Sequence, residues 1–316
     1  MKKIILSLMS IFLLPIFLVG CGESKNIEEI SEVGYKSNIG DSIEYEVIGL
    51  ESTTKLEGVA PVGNSLFLEP NDKSNVLLDF IIDVTNNGKQ DFDPYSDLKG
   101  KFIIDDSEYS ITAEAEVGGQ VANFNNIKPK TTAYVHIYTE IKEELITNDI
   151  ELQLQYGSET KSMKLNKNHL KPRVNILNYG EKVSNDKDIE ILIEKGYTTK
   201  QLDAPKKGDY FSHYYKVEDN NSTYAILELN ITNKMSNNLR IDDTISVSVL
   251  VDGKYQYSGY LVGLSNDQTD FDTYPEIEPN KSNLIYSLIE VPDNLLDKQI
   301  TFKLNAFREP YYIDLK

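Results

Sequence analysis

Asp83-Val84-Thr85-Asn86 and Asn230-Ile231-Thr232-Asn233 are two versions of one strand ending, 147 residues apart. The first ends an apolar run that begins at Leu77, and the second ends a similar run that begins at Tyr224. Both runs are rich in branched and aromatic residues with partial alternation, which favours β-strands. A strand ending that recurs after so long an interval indicates that the chain contains two copies of one unit.

Further matches keep the same order along the chain at offsets of 144 to 150 residues. They pair Ile43-Glu44-Tyr45-Glu46-Val47 with Ile189-Glu190-Ile191-Leu192-Ile193, Ile127-Lys128-Pro129 with Ile277-Glu278-Pro279, and Glu140-Ile141 with Glu290-Val291. Units of this length are domains rather than the repeats of about 20–50 residues that build solenoids. We expect domain 1 over residues 39–166 and domain 2 over residues 172–316, joined by a short segment.

Each unit has the pattern of an all-β fold. Ser246–Val251 leads into Asp252-Gly253, a strong tight-hairpin signal, and Asp105-Asp106 holds the same place in the first copy. Ile300, Phe302 and Leu304 alternate with polar residues, as in a half-buried strand. About seven short strands per unit predict two tandem immunoglobulin-like β-sandwiches. Helix should be limited to single turns near residues 142–147 and 293–297.

Three of these motifs also carry a family resemblance. The Val/Ile-Thr-Asn strand ending, the Ile-x-Pro turn and the strand ending Glu140-Ile141 or Glu290-Val291-Pro292 resemble the immunoglobulin-like domain of the immunoprotective extracellular antigen superfamily. Lys130 and Asn280 follow the turn proline, where that family usually has glycine. The resemblance implies a fold and an exported setting, and it implies no catalytic residues.

The amino terminus has the pattern of a secretory signal peptide. A basic start is followed by a 16-residue apolar run, Ile4–Val19, and then by Gly20 and Cys21. Leu18-Val19-Gly20-Cys21 resembles the lipobox of bacterial lipoproteins, in which the cysteine sulfur receives a diacylglycerol and the chain is cut just before it. The alternative is an uncleaved spanning helix, which needs about 20 apolar residues.

The amino-terminal pattern predicts a signal peptide at residues 1–20, and the lipobox resemblance implies lipid attachment at Cys21. The polar composition that follows predicts a tether at residues 21–38. The chain would be anchored to the extracellular face of the cell membrane, and a Gram-positive source is expected. Cys21 is the single cysteine. Once it is acylated, no thiol remains for a disulfide, so the stability of the fold must come from burial.

The net charge of the chain is −18, and it is −20 once Lys2 and Lys3 leave with the signal peptide. Nucleic acid is excluded as a partner, because phosphate binding needs clustered Lys and Arg. A solvated acidic surface is the favoured interpretation, and attraction of cations or basic partners is the alternative. Membrane lipid, held through acylated Cys21, is the one partner that the sequence predicts directly.

The sequence offers little for catalysis, and we expect neither an enzyme nor a cofactor. His136, His169 and His213 have no metal-ligand spacing, and His136 is expected to be an ordinary strand residue. No Gly-x-Ser-x-Gly elbow, phosphate-binding glycine loop or Ser-x-x-Lys with its partner motifs occurs.

The candidate reactive or metal-binding segments are two acidic loops, Asp91–Asp97 and Asp267–Asp272. Their carboxylates could bind calcium or act as the acid and base of a hydrolase. Solvated loop carboxylates are the favoured interpretation.

The chain has twenty tyrosines and no tryptophan, and exposed tyrosine is favoured in binding surfaces. Tyr210, Tyr214, Tyr215 and Tyr224 gather around Phe211 and His213, although packing is the commoner use of such residues. We predict a non-catalytic module that binds a protein or a cell-wall ligand. The alternative is an accessory subunit of a membrane transporter or signalling complex, and a carboxylate-dependent hydrolase is a weaker one.

Overall fold

The computed structural model describes residues 27–62, 67–122, 124–185, 188–208, 213–253 and 255–315. The predicted signal peptide and Cys21 lie outside these ranges. Nearly all regular structure in the described ranges is β-strand, which confirms the all-β fold class. No helix in these ranges has the length and apolar character needed to cross a membrane.

Domain 1 contains eleven strands among the described residues. They are β1 Ile27–Ile30, β2 Lys36–Ile39, β3 Ile43–Thr53, β4 Val76–Asn86, β5 Leu98–Ile104, β6 Ser107–Ser110, β7 Thr112–Val117, β8 Gln120–Ala122, β9 Thr132–Ile141, β10 Asp149–Tyr156 and β11 Glu159–Asn166. A one-turn helix, α1, spans Pro94–Asp97, and a 3-10 turn spans Glu143–Leu145.

Domain 2 repeats this series with short additions. Its strands are β12 Asn175–Ile176, β13 Lys182–Ser184, β14 Ile189–Thr199, β15 Gln201–Asp203, β16 Tyr214–Lys216, β17 Ser222–Asn233, β18 Leu239–Arg240, β19 Ile245–Val251, β20 Tyr255–Ser258, β21 Tyr260–Leu264, β22 Phe271–Asp272, β23 Glu276–Ile277, β24 Ser282–Pro292, β25 Ile300–Ala306 and β26 Glu309–Asp314. A 3-10 turn spans Asp293–Leu295, so both expected single turns are present.

Each domain is a sandwich of a five-stranded and a six-stranded sheet. The five-stranded sheets have the orders β1-β11-β10-β5-β6 and β12-β26-β25-β19-β20. The six-stranded sheets have the orders β2-β3-β4-β9-β7-β8 and β13-β14-β17-β24-β21-β22. The first strand of each domain runs parallel to the last one. The chain changes sheets after β4, β6 and β9 and after their counterparts, as in immunoglobulin-like sandwiches.

The asparagine that ends the repeated strand explains why this motif recurs. The Asn86 side chain donates to the carbonyl oxygens of Gln90 and Ile127, both at 2.8 Å, and accepts from the Gly88 amide. Asn233 makes the same three bonds, which include a donation to the Ile277 carbonyl at 2.8 Å. The residue thus fixes the strand end to the Ile-x-Pro turn in both domains.

The hairpin and turn expectations are confirmed in the backbone. Asp105, Asp106, Asp252 and Gly253 all have positive φ, as tight hairpin turns between twisted strands require. Lys130 and Asn280 have φ of 63° and 58°. These two residues therefore adopt the left-handed conformation that glycine takes most readily.

The two sandwich cores are apolar and separate. The inward residues of β4 include Leu78 and Phe80, and they pack on Phe102 of the opposite sheet. In domain 2, Leu227 and Leu229 pack on Phe302 in the same manner. Because the described part of the chain has no disulfide to rely on, burial of these side chains is the main stabilising contribution.

The expectation of a tether over residues 21–38 is wrong for its second half, because β1 and β2 belong to domain 1. Ile30 and Ile39 are buried in the core, which holds these short polar strands in place. Glu28 bonds to Lys161 at 2.6 Å and accepts from Tyr35 at 2.7 Å. Burial acts to raise the pKa of Glu28, yet the bonds from Lys161, Tyr35 and Ser37 lower it below its ordinary value.

The segment between the domains is fixed to domain 1. Leu170 is fully buried in the domain 1 core, and its carbonyl accepts from the Leu50 amide at 2.6 Å. A Cβ atom at Gly49 would lie 2.6 Å from Cγ of Pro172. Domain 2 therefore starts from a rigid point rather than from a flexible linker.

Candidate functional site

The candidate sites of this chain lie on the outer face of each six-stranded sheet, which is turned away from the sandwich core. Strand registers relate the two outer faces residue by residue. Asn86 corresponds to Asn233 on β4 and β17, and Thr132 corresponds to Ser282 on β9 and β24, where each bonds to the equivalent threonine. Ala115 pairs with Val135 and Gly263 pairs with Ile285, which aligns β7 with β21.

Domain 1 holds a buried ionic cluster on its outer face. His136 Nδ1 lies 2.7 Å from Asp79 Oδ2, and His136 Nε2 lies 3.5 Å from Glu116 Oε2. Asp79 and His136 are each 1% exposed, and Glu116 also accepts from the Val59 amide at 2.7 Å. Glu114 is buried beside them. The cluster therefore ties three strands to the loop that follows β3.

Electrostatics keeps this histidine protonated. Burial acts to lower the pKa of His136, but the charge and hydrogen bond of Asp79, with the contribution of Glu116, raise it to about 10. Burial also raises the pKa of Glu114 above its ordinary value. Asp79 and His136 are closed to solvent, whereas Glu116 also lines a cavity on this face.

The second domain shows that the fold does not need this cluster. Ile226, Tyr286, Val262 and Leu264 stand at the positions of Asp79, His136, Glu114 and Glu116. They form an apolar cluster on the outer face of domain 2. His136 is a strand residue, as expected, but sequence reasoning missed its partners, because cross-strand pairing depends on a register that the sequence does not state.

The remaining part of the domain 1 outer face is occupied by domain 2. The turn between β25 and β26 places an Arg308 guanidinium nitrogen 2.7 Å from Asp83 Oδ1. The guanidinium lies 4.4 Å from the centroid of the Tyr134 ring, and the Tyr134 hydroxyl donates to the Arg308 carbonyl at 2.9 Å. We call this contact the joint. A cavity of about 470 Å³ remains beside it, lined in part by Glu116, Thr132 and Arg308.

A second set of bonds supports the joint. The Pro61 carbonyl accepts from Ser246 Oγ at 2.6 Å and from Asn305 Nδ2 at 3.0 Å. Arg308 and Tyr134 thus act with a loop of domain 1 to hold the last hairpin of domain 2.

The equivalent part of the domain 2 outer face is an open groove of about 600 Å³. It is lined by Glu194, Lys195, Glu228, Asn230, Leu264, Ser265, Asn266, Gln268, Ser282, Asn283 and Leu284. Asn230 and Leu284 stand at the positions of Asp83 and Tyr134, the two residues that hold Arg308 in domain 1. We call this feature the domain 2 groove.

Glu228 is the buried acid at the floor of the groove. It is 6% exposed, and its Oε1 lies 3.1 Å from Lys195 Nζ. Burial, together with the Glu228 carboxylate, raises the pKa of Tyr197 and raises that of Tyr286 to about 12. The groove is lined by two carboxylates, those of Glu194 and Glu228, and by one ammonium group, that of Lys195. Its net negative charge favours a ligand with positive charge.

The acidic loops use their carboxylates within the loops themselves. Asp93 caps α1 by accepting from the Tyr95 amide and from Ser96 Oγ. Asp267 accepts from Ser265 Oγ and from the Thr269 amide, and these bonds lower its pKa. Across the described ranges, no three or more His, Cys, Asp or Glu side chains are placed to hold a metal ion. Gln268 of the second loop lines the domain 2 groove, together with Ser265, which lies just before the loop.

The tyrosine-rich segment is divided between packing and surface. Tyr224 is buried, Tyr215 packs on Phe271 with ring centroids 5.4 Å apart, and Tyr214 is 55% exposed. His213 Nδ1 lies 3.0 Å from Asp270 Oδ1, which joins this segment to the acidic loop beside the groove. Tyr210 and Phe211, like Cys21, lie outside the described residues, and His169 lies in the segment between the domains.

No family model matches this chain, and no curated protein matches it. Among solved structures, it is similar to an uncharacterized β-sandwich protein from Clostridium difficile 630, at 19% identity and a TM-score of 0.41. That likeness covers 46% of this chain and 95% of the other. A conserved hypothetical protein from Bacillus anthracis is similar at 12% identity and a TM-score of 0.27, over 42% of this chain and 94% of the other.

Proposed function

We propose that this chain is a lipid-anchored surface protein that acts as a non-catalytic binding module, with its ligand site in the domain 2 groove. One observation carries the proposal. The same region of the sheet holds a hairpin turn in domain 1, whereas in domain 2 it lies open. A surface that is built for contact in one copy is available for an external ligand in the other.

The positions of the ionisable groups support binding rather than catalysis. The Asp79–His136 pair is closed to solvent, and the loop carboxylates Asp93 and Asp267 accept from their own loops. A hydrolase would need two carboxylates that face each other across an accessible cleft. Two carboxylates line the domain 2 groove, but Glu228 is 6% exposed and lies 3.1 Å from Lys195 Nζ, which leaves Glu194 beside amide and hydroxyl groups, as in a binding site.

The anchor rests on Cys21 and on its resemblance to a lipobox cysteine. A Cys21→Ala chain, produced in a Gram-positive host, should appear in the culture medium, while the parent chain fractionates with the membrane. Retention of Cys21→Ala in the membrane fraction would show that something other than this cysteine holds the protein there.

The groove is tested by measuring how tightly the full chain, held in detergent micelles, binds to isolated cell wall and to wall-free cells of the source. Ser282→Arg narrows the groove and adds positive charge at an exposed position. Ser107→Arg, at an exposed edge of domain 1, makes the same change elsewhere and serves as the control. We expect Ser282→Arg alone to weaken binding about tenfold, as loss of a charge-assisted contact does. Equal binding by both variants would contradict the site.

A further inference from the structure

The joint shows one kind of ligand that the outer face of such a sheet can hold. Phe307 and Arg308 have φ of 55° and 68°, so the β25–β26 connection is a tight turn, from which Arg308 projects while Phe307 packs against the domain 2 core. The turn lies on the domain 1 outer face, where Arg308 is held by Asp83 and by the Tyr134 ring. The joint is therefore an example of an arginine-bearing β-turn docked on this kind of sheet face.

We propose that the domain 2 groove is a docking site for an exposed β-turn that carries an arginine and belongs to a protein partner. This inference rests on the proposed function and names its ligand class. The groove and the joint occupy equivalent positions on β17, β24 and β21 and on β4, β9 and β7. The partner turn would lie on domain 2 as the Arg308 turn lies on domain 1.

The charges of the groove agree with a guanidinium ligand. Glu228 lies at the floor, where Lys195 pairs with it at 3.1 Å, and the second carboxylate, Glu194, lies 3.5 Å from Asn230 Nδ2 at the rim. Asn230 stands where Asp83 binds Arg308, and its side-chain oxygen can accept from a guanidinium group. A planar guanidinium with five donors suits several acceptors around one point better than an ammonium group does.

A second copy of this chain is a poor occupant. The turn of domain 1 that corresponds to the Arg308 turn contains Gly157 and Ser158, and Glu159 follows them. This turn offers no arginine, and it would bring Glu159 towards Glu194 and Glu228. The Arg308 turn of a second copy is already bound to its own domain 1. The occupant is therefore a different protein.

The probe is a peptide with the sequence of residues 304–311 of this chain, closed into a ring by a D-proline–glycine turn. In the native hairpin, Leu304 pairs with Tyr311 and Asn305 pairs with Pro310, so the ring preserves the native register. The matched probe has alanine in place of its arginine. Both are titrated into the full, isotope-labelled chain in detergent micelles, and binding is followed by NMR shifts.

We expect the arginine peptide to shift the signals of groove residues and the alanine peptide to bind about tenfold more weakly, since a charge-assisted bond is lost. Glu228→Gln and Ser282→Arg should each weaken the arginine peptide by a similar factor, and Ser107→Arg should not. Ser282→Arg keeps the test valid if Glu228→Gln fails to fold, because residue 282 is exposed.

Equal binding of the two peptides, shifts outside the groove, or self-association of the chain through the groove would overturn the inference. If the peptide fails and solubilised wall polymer shifts the groove signals instead, the inference is wrong while the proposed function stands. If neither the peptide nor the wall polymer shifts the groove signals, both the inference and the proposed function are wrong.

Discussion

At the scale of single residues, the asparagine that ends the repeated strand is the most informative position. The sequence shows that it recurs, and the structure shows why, since each copy bonds to two carbonyls and one amide. Recurrence of a polar residue inside an apolar pattern was therefore a reliable sign of a buried turn contact.

Replacement of this residue should destabilise only its own domain. Asn86→Asp removes the side-chain donations to the Gln90 and Ile127 carbonyls, of which the Ile127 carbonyl keeps the Phe92 amide as a donor. The change should lower the free energy of unfolding of domain 1 by about 2 kcal/mol or more. Asn87→Asp, next to it but exposed, is the control and should have little effect. Chemical denaturation checks this, and a similar loss in both variants would show that the buried bonds contribute little.

The ionic cluster of domain 1 should make the stability of this domain depend on pH. Because the folded pKa of His136 is about 10 and the ordinary value is 6.5, its contribution to stability is complete below pH 6.5 and is lost as the pH rises towards 10. The free energy of unfolding, measured at several pH values between 6.5 and about 10, should fall as this contribution is lost. A His136→Tyr variant should lack this pH dependence.

At the scale of elements, the two outer faces are a built-in comparison of ionic and apolar packing. Asp79→Asn leaves the buried His136 without its nearer anion, with Glu116 at 3.5 Å remaining, and should destabilise domain 1 by about 3 kcal/mol. The fourfold change Asp79→Ile, His136→Tyr, Glu114→Val and Glu116→Leu installs the residues of domain 2. We expect it to recover most of that loss, as measured by denaturation. A fourfold variant as unstable as Asp79→Asn would mean that the cluster is required.

The hairpins and the sandwich class could be predicted because their signals are local. Asp252-Gly253 needs only its neighbours to specify a turn, and the alternation of Ile300, Phe302 and Leu304 needs only one strand. The strands β1 and β2 were missed because each has few apolar residues and depends on Lys161 and the core for its place. The groove and the joint could not be predicted, since they depend on the contact between two domains.

At the scale of the whole molecule, the joint makes the two domains unequal although their folds match. Arg308→Ala removes the contact with Asp83 and the stacking on Tyr134, which together contribute about 1 kcal/mol. Burial raises the pKa of Asp83 and Arg308 opposes that rise, so this pKa should increase further in the variant. NMR titration of the full chain measures it. Arg240→Ala, which removes a surface arginine elsewhere on domain 2, should leave the Asp83 pKa unchanged.

The most direct test of this account compares equivalent positions of the two outer faces on living cells. A photo-reactive benzoylphenylalanine is placed at residue 282, in the domain 2 groove, or at residue 132, beside the joint. Mass spectrometry then identifies what each has captured. We expect residue 282 to capture another molecule and residue 132 to capture domain 2 of the same chain. External capture at residue 132 together with none at residue 282 would contradict the assignment of the ligand site to the domain 2 groove.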